Sequence, residues 1–419
     1  MIDTREELTY ALQEAAELEH GLLIQYLFAA LSLKKHLDEG ISGEQQEIIR
    51  KWEGQILTVA REEMVHLGLV CNMLSAIGAA PHFSRPNFPQ EAEKYYPFSF
   101  TLSRFSDESL YRFIRFELPK GEKPPPPPKM RDSMLKSIDS KMLTVLFNVS
   151  PDPLEYEYVG ELYRKVREGF DTIPEERLFI GPKAGQEEEE WSERISVSQV
   201  ISRQTANKAI DLIIGSGEGS PRHREGSHYD TFLKMRTELN EQLKGQPDFD
   251  PSRLVVPNPR TRKFHRDAPT TQGTTFIENE SSRSVAELFN ECYEIALLML
   301  SQLYSFGGES AQQRDTLRQS SRQIMTSVLR PIAEILTEMP AITSTSDNGN
   351  AGPTFELYGS LQISTQQSSR WIIVKEGLDA VANDARALSS INKRLNFVSE
   401  NLLLIKQNME QTLALEEKL

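Results

Sequence analysis

Cysteine is scarce in this sequence: 419 residues carry two, Cys71 and Cys292, more than two hundred positions apart. That spacing excludes a disulfide framework and predicts a reducing, cytoplasmic setting. Long apolar runs are also missing. The most apolar window, Leu22 to Leu33, falls short of the ~20 residues a membrane helix needs, and Glu19 and His20 stand just before it. The opening residues, Met1 to Glu7, lack the basic-then-apolar order of a secretory leader. Basic charge is in deficit, with 47 Lys+Arg against 61 Asp+Glu and a net charge of −14, which argues against a nucleic-acid surface. No glycine cluster, Gly217-Glu218-Gly219 included, forms a GxGxxG or Walker motif. What remains is a globular composition, 38% apolar and 26% charged, in a chain too long for one typical core.

Proline is absent before residue 81, and the text there is helical. Thr4-x-x-Glu7 is a capping box opening a helix over 4–37, and Ser42-x-x-Gln45 opens a second that ends near Gly78. So short a connection predicts an antiparallel hairpin. From Pro81 to about Pro128 the pattern breaks into proline- and aromatic-rich text, with Pro124–Pro128 reading as a stiff surface loop. Helical signals return at about 153–170, 198–214 and 224–242, and the Glu187–Glu190 run between them reads as solvated. Residues 243–280, rich in Pro, Arg and Thr, read as a linker or wrapping segment. Helices follow over 282–339 and 365–417, with no repeat of fixed period. The expected organisation is a mostly α domain over 1–242, with an insert at about 81–150, and a C-terminal helical domain over 281–419.

The inward stripes of these helices carry ionisable residues where apolar ones belong. In the first helix Leu8, Leu12, Ala15, Glu19, Leu22, Tyr26, Ala29 and Leu33 recur at spacings of three and four. In the second, Trp52, Ile56, Val59, Glu63, His66, Val70 and Met73 do the same. A third stripe, Glu225, His228, Phe232, Met235 and Leu239, repeats the Glu-x-x-His pair. Ionised groups facing a core need partners or a metal. Carboxylates with imidazoles suit Fe, Mn or Zn, and residues at i and i+3 project together from one helix. Four-helix proteins with two metal ions take one Glu from each of two helices and Glu-x-x-His from each of the other two. Glu19, Glu63/His66 and Glu225/His228 fill that scheme except for one Glu. Glu161 is the choice on the 153–170 helix, with Glu155 and Glu157 open alternatives, and Glu218 competes with Glu225. Tyr26, one heptad from Glu19, is either a packed core residue or a partner of the site. His20, His36, His82, His223 and His265 fall on no apolar stripe and read as exposed; Cys71 reads as a small core residue.

Glu17-Leu18-Glu19-His20 with Tyr26-Leu27, Glu62-Glu63-Met64-x-His66-Leu67, Gly160-Glu161-Leu162-Tyr163, Gly217-Glu218-Gly219 and Ser227-His228-Tyr229-x-x-Phe232 together resemble the ferritin-like family of the iminophenyl-pyruvate dimer synthases. Leu329-Arg330-Pro331 and Ala351-Gly352-Pro353-x-Phe355 extend the resemblance over nearly the whole chain. It implies a ferritin-like four-helix bundle with a long insert and an additional C-terminal helical region. It also implies Glu19, Glu63, His66, Glu161, Glu225 and His228 as its metal ligands, and oxidative coupling of imines derived from aromatic 2-oxo acids, with iron involved.

The expectation is therefore an oxidoreductase with two non-haem ions, iron or else manganese, using O₂ or peroxide on a small organic substrate. Haem is the alternative cofactor, and an iron-storing or structural metal protein is the alternative from another class. A homodimer is compatible with the sequence. No nucleic-acid or membrane partner is expected.

Overall fold

The computed structural model describes residues 2–91, 99–128, 158–190, 195–217, 225–305, 308–343, 349–359 and 361–416. The Thr4 box caps helix α1 (Arg5–Ser32) and the Ser42 box caps α2 (Gly43–Ala76), both with reciprocal side-chain to backbone bonds. Such a cap contributes about 1 kcal/mol. The two helices form the expected antiparallel hairpin. α1 ends five residues earlier than its periodicity predicts. Past Ser32 the backbone turns to residues 251–253: Lys34 N–H donates to the Pro251 carbonyl and Arg253 N–H to that of Ser32.

The other two columns of the bundle are each built from two helices. α3 (Asp107–Phe116), capped by Ser106, rises from the Trp52 end of α2. Phe105 stacks on Trp52 at 5.4 Å, and Phe113 meets Tyr26 edge-on at 4.7 Å. α4 (Val159–Thr172) covers the opposite end, where Gly169 lies against Ile2 and Leu8. In the fourth column α5 (Arg203–Ser216) descends from that end, and α6 (His228–Gly245) continues to the other, reaching Gln45 through Gln246. Both columns are thus interrupted at one height, after Glu117 and after Gly217. The insert expected at about 81–150 contains α3, a bundle helix. Prolines 86, 89 and 97 and the ten-residue length of α3 hide it from a long-window reading.

Residues 246–279 run along the bundle and tie it to the C-terminal helices. The Arg253 guanidinium grips Glu39, in the hairpin turn, at 2.6 Å and Thr337 at 2.7 Å. Beyond them lie α7 (Glu280–Leu303), α8 (Ala311–Ile324), α9 (Arg330–Leu336), α10 (Gln367–Ala387) and α11 (Arg394–Glu416). A π turn over Met325–Leu329 joins α8 to α9. This C-terminal layer covers the outer face of the α1/α2 hairpin. Among the described residues no helix is long and apolar enough to cross a membrane.

Candidate metal centre

Five ionisable side chains converge where the two columns break, and all five are buried: Glu19, Glu63, His66, Glu117 and His228. α1 supplies Glu19, and α2 supplies Glu63 and His66 one turn apart. Glu117 is the residue that terminates α3, and His228 is the first of α6. They form two overlapping triads, Glu19/Glu63/His66 and Glu63/Glu117/His228, each with donor atoms within 4.8 Å of one another. Glu63 belongs to both. Its Oε2 lies 2.8 Å from His66 Nδ1 and its Oε1 2.9 Å from His228 Nδ1.

Both histidines turn Nδ1 to the cluster and hold Nε2 outside it. His66 Nε2 is 2.7 Å from Ser216 Oγ, whose own hydroxyl donates to the Leu212 carbonyl at 2.8 Å. Ser216 therefore accepts, and the proton on that ring belongs on Nε2. His228 Nε2 donates to Glu62 Oε2 at 2.6 Å. An acceptor on the outer nitrogen fixes the tautomer and leaves the inner lone pair for a metal. The carboxylates are held likewise: Tyr26 Oη donates to Glu117 Oε1 at 2.5 Å, and Tyr163 Oη donates to Glu19.

Electrostatically the cluster is unbalanced. Burial drives the Glu63 carboxyl up, against the pull of His228 and His66. Burial disfavours charged His66, but Glu63 and Glu19 outweigh it and lift the imidazole to about 9. His228 is raised well above the usual range by Glu63 and Glu117 despite its own burial. Even with both imidazoles protonated, three carboxylates outnumber two cations, and buried ionised groups are costly without compensation. Glu63 Oε1, Glu117 Oε2 and His228 Nδ1 face one another, buried, and none forms a hydrogen bond. Unsatisfied oxygen and nitrogen donors converging in this way fit divalent cations of the Fe, Mn or Zn type. The approach depends on Gly217, since a Cβ there would lie 2.2 Å from His228 Nδ1 and 2.8 Å from Glu117 Oε2.

Of the six ligands expected from sequence, four come together: Glu19, Glu63, His66 and His228. Glu161 does not join them. It sits half-buried in the first turn of α4, one residue before the inward stripe of Leu162, Tyr163, Val166 and Phe170. α4 thus presents the Tyr163 hydroxyl to the site, and the carboxylate comes from Glu117. Glu225 does not join either. Its side chain is 92% exposed and lies 3.7 Å from Lys234. Gly226, at φ +80°, turns the chain and Ser227 caps α6, so Glu225 precedes the helix and the i, i+3 geometry with His228 never forms. Glu155, Glu157 and Glu218 lie outside the described residues. Glu117 was findable from a short capped stripe, Ser106 then Leu110, Phe113, Ile114 and Glu117. Glu62 and Ser216 carry no such signal, because outer-nitrogen acceptors follow no sequence rule.

A helical bundle with a buried, overlapping carboxylate–histidine cluster at its middle defines the class: a four-column helical protein whose central cluster is compatible with a dimetal site. A ferritin-like family profile matches residues 12–237, and the chain belongs to the ferritin-like family. It is 28% identical over 397 residues to dichlorochromopyrrolate synthase of Lentzea aerocolonigenes, covering 85% of this chain and 36% of that one. To 2-imino-3-(indol-3-yl)propanoate dimerase of Chromobacterium violaceum it is 24% identical over 371 residues, covering 81% and 33%. The chain therefore spans about a third of the length of these relatives. Among solved structures, a ferritin-like protein from Caulobacter vibrioides matches 73% of this chain at 17% identity, with a TM-score of 0.45.

Proposed function

We propose that the chain is a ferritin-like dimetal oxidoreductase, with iron at both positions, acting with O₂ or peroxide on a small organic substrate. The observation that carries this reading is the sharing of Glu63 between two triads. In it Glu19, Glu63 and His66 would hold one ion and Glu63, Glu117 and His228 the other, with Glu63 common to both sets. Bound iron would supply redox capacity for removing electrons from the substrate. The protein's own part is positioning. Ser216 and Glu62 keep Nε2–H on both imidazoles, Tyr26 and Tyr163 orient the outer carboxylates, and Leu22, Val59, Phe113 and Phe232 keep water from the centre. Glu62, the partly exposed member, marks the side facing solvent.

The relatives' names suggest the substrate class. One names a dimerase of an imino acid bearing an indole, the other a synthase of a halogenated pyrrole carboxylate. Oxidative joining of two imines derived from aromatic 2-oxo acids, within natural-product biosynthesis, is the reaction proposed for this chain. A reducing cytoplasm suits two buried, free cysteines.

The test is to load the chain anaerobically with ferrous iron and supply 2-imino-3-(indol-3-yl)propanoate, formed in place from indole-3-pyruvate and excess ammonium. O₂ or peroxide is then added. A coupled product at twice the substrate mass less two hydrogens, absent with Glu63→Ala, supports the reading. Loaded protein that consumes neither oxidant and yields no coupled product with this imine or its phenyl analogue contradicts it.

A further inference from the structure

A cavity of about 430 Å³ lies away from the metal centre, between the outer face of the α1/α2 hairpin and the C-terminal layer. On α2 its walls are Met64 and Leu67, each one residue beyond Glu63 and His66 and so turned by about 100° around the helix. On α1 they are Leu23, Ile24, Leu27 and Leu31, whereas Glu19, Leu22 and Tyr26 point to the other side. The opposite wall is α7, through Ala296, Leu297 and Leu300, and the π turn, through Met325 and Leu329. A π turn widens a helix locally and is frequent at functional sites.

The lining is graded. At the inner end His20, Phe83, Phe289, Tyr293 and Phe355 are buried. His20 Nε2 accepts there from Tyr293 Oη at 2.5 Å. Leu27, Leu57, Met64, Leu300 and Met325 are half-buried, and Arg61, Arg322, Thr326 and Arg330 are exposed at the rim. From His20 to Leu31 the cavity follows eleven residues of α1, about 16 Å at the helical rise.

The charged lining is four arginines, the fourth being Arg318, against Glu187 and Glu189. The acidic run expected to be solvated is pinned here: Glu187 is buried and held by Arg314 and Arg318, and Glu189 by Arg322. Arg330 pairs with Glu53 and Glu334. Arg61 differs. It donates only to the Leu57 carbonyl at 3.1 Å and the Thr58 hydroxyl at 3.2 Å, and among the described residues no carboxylate meets it. The volume is that of a small-molecule site.

We propose that this cavity is a second ligand site, distinct from the carboxylate–histidine centre, for a carboxylic acid with an elongated aliphatic body. The hydrocarbon lies along α1 among leucine, isoleucine and methionine, and the carboxylate meets Arg61 at the rim. The mostly aliphatic, elongated wall favours a chain over a compact ring system. A guanidinium that no carboxylate meets among the described residues selects the acid over a neutral analogue.

Calorimetric titration of the full, metal-loaded chain with dodecanoate below its micelle threshold, and separately with dodecan-1-ol, tests this. Saturable one-to-one binding of the acid, with the alcohol weaker by roughly ten-fold, is expected. Arg61→Gln should weaken the acid by roughly ten-fold and leave the alcohol unchanged. Ala296→Phe, or Leu300→Trp on the half-buried wall should the first lose its helical signal, should abolish both. Unsaturable uptake, equal affinity for acid and alcohol, or wild-type binding in a folded cavity-filling variant would overturn the proposal.

Discussion

A methyl group added to Gly217 would lie 2.2 Å from His228 Nδ1, well inside van der Waals contact. Gly217 ends α5 and His228 begins α6, so the fourth column breaks at the point where a side chain would fill the space before His228 Nδ1 and Glu117 Oε2. Gly217→Ala should remove most of one metal equivalent, that of the Glu63/Glu117/His228 triad, with little loss of helix. Metal analysis beside circular dichroism checks it, and full metal content would place the ion elsewhere.

Glu117 and Glu161 are alternative sources of one carboxylate, and only Glu117 reaches the cluster. Glu117→Ala should therefore lose about half the bound metal, while Glu161→Ala and Glu225→Ala keep it. The reverse pattern would return the ligand to α4 and remove Glu117 from the site.

Tyr26 and Tyr163 donate to the two outer carboxylates from buried positions. A hydrogen bond to a charged group contributes about 1.5–3 kcal/mol. Tyr163→Phe and Tyr26→Phe should each lower unfolding stability by roughly 1–3 kcal/mol in urea titrations of the metal-free chain. A change within error for both would mean that these hydroxyls do not hold the carboxylates.

Glu39 in the hairpin turn is gripped by buried Arg253, which also reaches Thr337 and Glu338. Burial alone would raise the Glu39 carboxyl, but the bonds from Arg253 and from the Lys35 and His36 backbone lower it to about 2. A depressed folded pKa means that the contribution to stability is complete above the unfolded value near 4.5 and is lost as pH falls toward 2. Glu39→Gln should destabilise the chain at neutral pH and flatten its acid denaturation between those limits. An unchanged acid limb would show the pair to be energetically neutral.

The long elements were legible because burial writes a period into them. α1 and α2 announce their caps, their stripes and the three misplaced ionisable residues Glu19, Glu63 and His66. The rest failed for local reasons. α3 has ten residues set among prolines, too short for its period to stand out. The Glu225-x-x-His228 spacing looked helical, yet Gly226 and Ser227 start the helix after the glutamate. His20 and His265 belong to no stripe and are buried all the same. His265 bonds Glu356 at 2.5 Å across 91 residues, a pairing that no periodicity encodes. Within the charged run Glu187 is buried for a similar reason, since its arginine partners arrive from α8, while Glu188 is exposed as expected.

A two-ion centre in this bundle requires Glu63 to serve both triads. Metal analysis of the chain purified from iron- and manganese-replete medium, beside Glu63→Ala with its helical content checked, addresses this most directly. The predicted result is about two transition-metal ions per wild-type chain and close to none in a folded Glu63→Ala. Wild-type protein without transition metal, or a variant that keeps both ions, would contradict it.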